Sequence, residues 1–393
     1  MMGSWPVFNW VDGGLFAVTL LLWMIQLAYT LITYARPVRQ VCPEPLPEDE
    51  ACPPVSIIIY AKEASEALRK HLPLWLTQHY PTYEVIVVND GSTDESEEVL
   101  KQACQLYPHL YHTYIPEDAK YLSRKKLAVT VGIKAAHHET LLFSEADCRP
   151  ASPDWIRAMV SGYRSPRSRI VLGFSAYPAH TGFFHKLVAY DNLMHGLEYL
   201  ASALKRHPFA GCGRNLSYQK SLFFEHKGFA HSLNLLAGED DLFINETARP
   251  DNTEVQLRSE SLTEMTPYAY FNSWKEHQVS RAATQKAYRG TQRFYYAAHG
   301  LTLLLYVFLT GVTLGVSLAY HHWFGLLVLL PYLLHLTVKV CVYRKAARLL
   351  GQSPLWASLP LLELALPLMH LYVRVYRLFR GQKDYTFRLD NKH

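Results

Sequence analysis

Tyr83-Glu-Val-Ile-Val-Val-Asn-Asp-Gly-Ser-Thr-Asp94 is the stretch that decides the fold. Its first half is a run of β-branched residues without polar alternation, the pattern of a strand buried on both faces. Asn89-Asp90-Gly91 is turn chemistry, so the strand stops there and leaves Asp90 at its carboxyl end. Upstream, Pro54-Val-Ser-Ile-Ile-Ile-Tyr60 is a second strand of the same kind. Between the two, 65–79 places Leu68, Leu72, Trp75 and Leu76 at helical spacing. Downstream the pattern predicts a helix over 95–106, a strand over 110–115, a helix over 125–136 and a strand over 140–143. The last strand runs into Ser144-Glu-Ala-Asp-Cys148. Strands alternating with helices predict an α/β fold with a parallel, doubly wound sheet. Ligands of such sheets bind beyond the carboxyl ends of the strands. Asp90 and the Glu145/Asp147 pair both fall there.

Carboxylates after neighbouring strand ends concentrate negative charge, and that charge calls for a cation. Oxygen ligands suit a hard divalent ion, so magnesium or manganese carrying a diphosphate is the expected cofactor. Lys125 and Lys126 lie just upstream and are placed to meet the same phosphates, although a solvated helix face is the plainer use of two adjacent lysines. Asp94, directly before Glu95, reads as a cap for the helix that follows. Capping competes for Asp90 as well, but explains Glu-x-Asp at a strand end poorly.

The composition separates this middle from its flanks. Of 393 residues, 49% are hydrophobic and 19% charged, which excludes a disordered chain. The mean hydropathy of -0.05 averages a soluble middle with apolar ends. A net charge of +5 suits nucleic acid or anionic lipid. The late Lys and Arg flank apolar segments, and no basic run has interleaved aromatics, so lipid is the expected partner and nucleic acid is not. Cys42, Cys52, Cys104, Cys148, Cys212 and Cys341 are scattered without a C-x-x-C, which argues for a reduced compartment and against a disulfide scaffold or structural zinc.

Leu15 to Tyr34 is 20 residues without a formal charge, enough to span a bilayer core. No basic region precedes it, and Tyr34-Ala-Arg-Pro37 is not a small-residue cleavage site, so a retained helix is expected rather than a signal peptide. Trp5, Trp10 and Trp23 suit its interfaces. Arg36 and Arg39 follow it, which puts the N-terminus outside and the next segment in the cytoplasm. Phe294 to Val338 is 45 residues without a formal charge, right for two spans near 297–319 and 324–343. His321-His322-Trp323 marks their outer turn; adjacent histidines do not share a helix face and make a poor metal site. Arg344, Lys345 and Arg348 then return to the cytoplasm. The apolar stretch 353–373 carries Glu363, Pro354, Pro360 and Pro367. Basic residues lie on both sides (Arg348, then Arg374, Arg377, Arg380 and Lys383), which favours an interfacial or re-entrant segment over a further span. The division is therefore a first transmembrane helix in 1–35, a Pro-rich acidic linker in 36–52, a soluble domain in 53–293, two transmembrane helices in 294–345, and an interfacial or re-entrant segment with a basic tail in 346–393.

The motifs of the middle resemble inverting glycosyltransferase family 2 with the GT-A fold, from about Pro53 to Arg293. Val55-Ser-Ile-Ile-Ile-Tyr-Ala-Lys62 is similar to the family's opening strand, with Tyr60 and Glu63 beside the donor. Val88-Asn-Asp-Gly-Ser-Thr-Asp94 resembles its nucleotide-binding turn, where Asp90 would contact the base. Ser123-Arg-Lys-Lys-Leu-Ala128 resembles the lysine-bearing segment near ribose and diphosphate. Ser144-Glu-Ala-Asp-Cys148 is similar to the Asp-x-Asp motif, which makes Asp147 and Glu145 the metal ligands. Gly211-Cys-Gly-Arg-Asn-Leu-Ser-Tyr218 resembles the acceptor-side loop, with Gly213, Arg214 and Asn215. Gly238-Glu-Asp-Asp-Leu242 is similar to the motif carrying the general base, with Asp240 the first choice and Glu239 and Asp241 its rivals. Gln278-Val-Ser-Arg281 is similar to the family's Gln-x-x-Arg-Trp; Gln285 to Arg289 is a poorer match, and a juxtamembrane basic helix facing anionic headgroups explains the same segment. Each motif alone is weak, but their order and spacing together are specific.

The resemblance implies a metal-dependent, inverting single displacement. A sugar leaves a nucleotide-diphosphate donor, foremost a UDP-sugar, for a lipid-linked or polysaccharide acceptor at the cell (inner) membrane, with the catalytic domain in the cytoplasm. Three positions depart from the family pattern. Glu63-Ala64 stands where Asn-Glu is common. Glu145 replaces the first metal-motif Asp and shifts its carboxylate by about one carbon–carbon bond. Ala282 replaces the Trp, which weakens any claim to a processive synthase. The competing function is a degenerate GT-A domain kept as a non-catalytic binding or assembly subunit. A transporter is disfavoured because Glu363 alone supplies charge within so few apolar spans.

Overall fold

The computed structural model describes residues 10–40, 45–116, 123–178, 180–319, 326–353 and 356–379. Trp5, Cys42, Pro354, the turn His321-His322-Trp323 and the tail residues Arg380 and Lys383 lie outside the described residues. The chain starts with α1 (Trp10–Ala28), which continues as a π-helical stretch, Tyr29–Tyr34, and then α2 (Arg36–Arg39). The first α/β stretch follows as β1 (Val55–Ala61), α3 (Ser65–Leu76), β2 (Tyr83–Asn89), α4 (Ser96–Leu106) and β3 (Leu110–Tyr114). Next come α5 (Arg124–Ala135), β4 (Thr140–Glu145), β5 (Cys148–Pro150), α6 (Trp155–Val160), β6 (Ile170–Leu172) and β7 (Ser175–Ala176). The second half holds α7 (Phe183–Leu204), β8 (Leu216–Gln219), α8 (Lys220–Glu225), α9 (Asp241–Thr247), β9 (Thr253–Val255), β10 (Thr263–Met265) and α10 (Phe271–Thr284). Three long helices close it: α11 (Gln292–Ala319), α12 (Leu326–Leu349) and α13 (Leu359–Phe379).

The main sheet has the order β3-β2-β1-β4-β8-β6-β9. β1 runs parallel to both β2 and β4, and β2 parallel to β3. Val55, Ile57, Ile58, Ile59 and Val85 to Val88 are buried, as a strand covered on both faces requires. Two expectations are corrected. The sheet is mixed, because β8 runs antiparallel to β4 and β6. The two acidic strand ends are not adjacent, because β1 lies between β2 and β4. The register nevertheless levels them: Tyr60 pairs with Val88 on one side and Glu145 on the other, so Asp90, Tyr60 and Glu145 share one edge. A second sheet, β5-β10-β7, sits beyond that edge and carries the chain on from Asp147.

Helix α7 is the long element behind the site. Gly196 lets it approach the strands, since a Cβ there would fall 2.2 Å from the Phe174 ring. The Gly196→Ala protein is expected to lose about 2 kcal/mol of stability through overpacking, read as a lower midpoint in thermal unfolding of the whole chain. At its far end α7 is tied to the first long helix. Arg36 Nε donates to the Leu204 carbonyl at 3.1 Å, and Lys205 Nζ donates to Thr33 Oγ1 at 2.6 Å.

Among the described residues four helices are long and apolar enough to cross a membrane: Gly13–Tyr34, Gln292–Leu318, Leu327–Leu349 and Leu359–Phe379. The last forms one continuous helix through Pro367, not a re-entrant turn within 359–379. Polar contacts join the long helices, as apolar surroundings favour. Gln26 Nε2 donates to Thr302 Oγ1 at 2.8 Å, and the Tyr34 hydroxyl lies 3.1 Å from His299 Nδ1. Glu363 is not a lone charge, because Lys339 from α12 pairs with it in the buried interior.

Candidate active site

The strand ends open onto a cavity of about 240 Å³ lined by Lys125, Glu145, Arg214, Glu239, Asp240 and Asp241 on one side and by α7 and α10 on the other. A smaller recess beneath it adds Tyr60 and Gly213. Asp90 is fully buried at the close of β2. Its Oδ2 accepts the Tyr60 hydroxyl at 2.7 Å and its Oδ1 accepts Arg124 Nε at 2.7 Å. Glu63 sits in the turn after β1 with a positive φ of 45° and accepts the Thr93 amide at 2.9 Å. It therefore braces the turn that carries Asp94. Asp94 in turn accepts the amides of Ser65 at 2.8 Å and Ser96 at 3.1 Å, which is the capping role at the starts of α3 and α4.

The two lysines of α5 part company. Lys125 Nζ lies 2.7 Å from Glu145 Oε1 and 2.7 Å from Glu239 Oε1, bridging the end of β4 and the acidic run before α9. Although burial opposes it, the pull of Glu145 and then Glu239 holds this ammonium charged well above the usual lysine range. Lys126, expected beside the phosphates, points the other way. Its Nζ donates to the carbonyls of Ser232 at 2.5 Å and Leu235 at 3.0 Å, with 1% of the residue exposed. Adjacent helical residues diverge by about 100°, so only one of the pair reaches the cavity. Burial lowers the Lys126 ammonium to about 8.

Glu145 is already neutralised. Burial raises it, but Arg214, with Nε at 3.3 Å, and Lys125 bring it down to about 2. Asp147 is different. Burial raises its carboxyl, Arg214 draws it down, and the Glu145 charge pushes it up again. Its Oδ1 accepts a hydrogen bond from the Cys148 thiol at 3.3 Å, a weak donor. Among the described residues no group of three or more His, Cys, Asp or Glu is arranged to hold a metal. One or two carboxylates, with phosphate oxygens and water completing the shell, are nevertheless the usual protein share of a magnesium site. A half-buried carboxylate held up by desolvation and by a like charge fits that share.

Asp240 stands at the start of α9. Its Oδ2 accepts the Gly213 amide at 2.7 Å, and a Cβ at Gly213 would crowd that oxygen at 3.2 Å. Burial and the neighbouring Glu239 and Asp241 push its carboxyl up to about 7. Asp241 turns inward and is fully occupied: its Oδ2 accepts the Thr284 hydroxyl at 2.6 Å and the Tyr288 hydroxyl at 2.7 Å. It joins α9 to the end of α10, whereas Glu239 keeps one oxygen without a partner. Asn215, expected on the acceptor side, is likewise structural. Its Nδ2 donates to the carbonyls of Phe174 at 2.8 Å and Ser261 at 2.7 Å, and it has no exposed surface.

Gln278 and Arg281 do reach the cavity, and both are held there by a residue the sequence did not single out. Asp191 of α7 accepts Gln278 Nε2 at 2.5 Å and Arg281 Nη2 at 2.7 Å. Burial works against its charge, but Arg281 and His370 hold it far below the usual range. His195 and His277 line the same wall. Burial, with Arg281 beside His195 and Arg214 beside His277, brings both imidazoles down to about 3, so they are neutral. The available signal was an acid in a largely apolar helical run, with a histidine four residues on, where both share a face. The poorer repeat of the Gln-x-x-Arg pattern lies elsewhere: Arg289 is exposed and its amide donates to Asn245 Oδ1 at 2.7 Å.

Comparisons with known proteins bear on the same strands. The glycosyl transferase family 2 profile matches residues 56–225. YibD of Escherichia coli K12, described as an uncharacterized glycosyltransferase, is 30% identical over 93 residues, 24% of this chain and 26% of its own length. The glycosyltransferase AglE of Haloferax volcanii is 33% identical over 111 residues, 28% of this chain and 35% of its own. The chain thus matches about a quarter and a third of these relatives. Among solved structures, the mannosyltransferase PcManGT from Pyrobaculum calidifontis, in complex with GDP-Man and Mn2+, superposes with a TM-score of 0.59. The overlap covers 93% of this chain and 99% of that one at 16% identity, a likeness of fold. The profile lies over the strands that set Tyr60, Asp90 and Glu145 along one edge, so residues 56–225 carry the glycosyl transferase family 2 match and the chain has the GT-A fold.

Proposed function

We propose that this chain transfers a sugar from a nucleotide-diphosphate sugar, foremost a UDP-sugar, to a lipid-linked or polysaccharide acceptor at the membrane. The observation that carries the reading is Asp240: a carboxyl raised to about 7, facing the cavity one residue from the Glu239–Lys125 pair. A base whose pKa lies near the working pH combines the right protonation state with useful driving force.

Asp240 takes the proton of an acceptor hydroxyl. The acceptor oxygen then bonds to the anomeric carbon as that carbon's bond to the diphosphate oxygen breaks, and the nucleoside diphosphate leaves with the electron pair. A single displacement inverts the anomeric centre. Lys125 and Arg214 supply fixed positive charge where the leaving group gains negative charge. Tyr60, Asp90 and the Glu63 turn frame the donor end, and Gly213, Arg214, Gln278 and Arg281 frame the acceptor end. Asp147, with Glu145, would hold a divalent manganese or magnesium ion, which supplies Lewis-acid stabilisation of the departing diphosphate. The acceptor wall runs from α10 towards α11, which suits a membrane-borne acceptor. The basic residues after α1 and within the last turns of α12 favour a cytoplasmic catalytic domain in an inner membrane, by the positive-inside rule.

Donor turnover tests the reading. The whole chain in detergent is offered a panel of nucleotide sugars with and without manganese or magnesium, and nucleoside diphosphate release is scored. Metal-dependent release from one donor, reduced at least about 100-fold in the Asp147→Ala protein, is expected. Binding of the diphosphate by calorimetry without turnover in any donor and acceptor mixture would point to the assembly-subunit reading.

A further inference from the structure

Helix α13 is apolar on two sides, and Leu359, Leu362, Leu366 and Val373 are buried against the protein. Its Leu361, Leu368, Leu371, Val375, Leu378 and Phe379 are exposed, between 43% and 87%. Arg374 is exposed, but the polar residues Glu363, His370 and Arg377 face the protein. They recur every seven positions, and a heptad drifts by only about 20° around an α-helix, so the three form one seam. Glu363 pairs with Lys339 of α12. His370 Nε2 lies 3.1 Å from Asp191 Oδ1 of α7 and 3.5 Å from Arg281 Nη2 of α10. Arg377 donates to the Ala282 carbonyl, one residue past Arg281. A helix of a soluble protein pairs its inward apolar stripe with a polar outer face, whereas the outer face here is mostly apolar. The exposed stripe continues the apolar exterior of α11, on which α13 packs, so bilayer lipid is its occupant.

The seam meets the site at Asp191. This carboxylate, 4% exposed, is an acceptor only, so each neighbour must donate to it. Oδ2 takes Gln278, while Oδ1 takes both Arg281 and His370. We propose that Asp191 is a positioning residue that sets Gln278 and Arg281 in the cavity wall, and that lipid-facing α13, through His370, completes that setting and so makes the geometry of the wall depend on how α13 is seated in the bilayer. His370 touches no reacting group; it acts through Asp191. The effect on transfer rests on the transferase reading, whereas the coupling between α13 and α10 does not.

The test uses the full chain in nanodiscs of phosphatidylethanolamine and phosphatidylglycerol, and reads amide hydrogen exchange in α10 beside nucleoside diphosphate release. In the His370→Ala protein the 278–284 amides are expected to exchange about tenfold faster than in wild type. His370→Gln, which keeps a side-chain donor, should restore most of the protection. kcat/KM should fall about tenfold in His370→Ala and recover in His370→Gln, and the Asp191→Asn/His370→Ala double variant should be no worse than Asp191→Asn alone. A Leu371→Glu/Leu378→Glu protein, altered only on the outer face, should loosen α10 as His370→Ala does. Wild-type exchange in α10 of His370→Ala would overturn the coupling, as would additive losses in the double variant. Wild-type exchange in Leu371→Glu/Leu378→Glu would overturn the lipid contact. If wild type turns over no donor, the transferase reading fails and the exchange arms still decide the coupling.

Discussion

The Asp240→Asn protein is expected to lose about 1,000-fold in kcat for transfer, the middle of the range for a positioned general base. The amide oxygen can still accept the Gly213 amide proton where Oδ2 now does, and the one bond given up is that from the Asp241 amide, which Oδ1 accepts at 2.7 Å. What disappears is the capacity to take a proton from an acceptor hydroxyl. In wild type the carboxyl must be ionised to act, and burial with Glu239 and Asp241 holds it at about 7. Activity should therefore climb with pH through that value and level off above it, and the residual rate of the Asn protein should lack this limb. Stability runs in the opposite sense. A folded-state value of about 7 against an unfolded one near about 3.9 disfavours the ionised native state increasingly between those values. Above about pH 7 that cost is fully present, so the Asn protein should melt no lower than wild type there. Loss of transfer with retained or raised melting temperature identifies a chemical role. Retention of more than about a tenth of the rate, below the least effect of a general base, would move the role to Glu239.

The Lys125→Met protein should lose about 3 kcal/mol of stability near neutral pH, together with most of its activity. Lys125 faces two carboxylates at 2.7 Å, and removing one partner of a buried ion pair strands the other. Glu145 retains Arg214 at 3.3 Å, whereas Glu239 loses the only ion-pair partner it has among the described residues. The pH dependence follows from the part that Lys125, second to Arg214, plays in holding Glu145 at about 2 against an unfolded value of about 4.3. Its contribution is present above the unfolded value and is lost as pH falls towards 2. The gap between wild type and Lys125→Met should thus be widest above about pH 5 and narrow towards about pH 3. Thermal unfolding at both ends of that range checks it; a gap independent of pH would mean that packing, not charge, is what the lysine contributes.

Much of the fold was legible because its signals are local. A β-branched run with turn residues at its end specifies a buried strand without reference to anything distant, so β1, β2 and β4 and the acids beyond them could be read directly. The direction of β8 could not. Leu216-Ser-Tyr-Gln219 is four residues with no connection rule attached, and only pairing with β4 and β6 makes it antiparallel. In the site, sequence brought candidates together but did not rank them. Glu239, Asp240 and Asp241 are neighbours in the chain, yet Thr284 and Tyr288, more than forty residues away, are what occupy the Asp241 carboxylate. Lys126 and Asn215 belong to motifs that resemble a family's binding segments, and backbone carbonyls claim both. Asp191 was invisible for the converse reason. It belongs to no motif, and its role exists only because α7, α10 and α13 converge on it.

The ties between α7 and the long helices bear on how the protein can be handled. The ring of Tyr190 on α7 lies 6.3 Å from Tyr343 on α12, which in turn lies 5.9 Å from Tyr34 at the end of the first long helix. One continuous apolar core runs from the strands through these tyrosines to Leu359 and Leu366. A fragment cut at the apparent edges of the hydrophilic middle would carry α7 with that side bare, a contiguous sticky surface of the kind that drives aggregation. Preparative work on this protein is therefore a detergent-extraction problem from the outset, and trimming towards a water-soluble enzyme cuts through the core that the trimmed piece needs to fold.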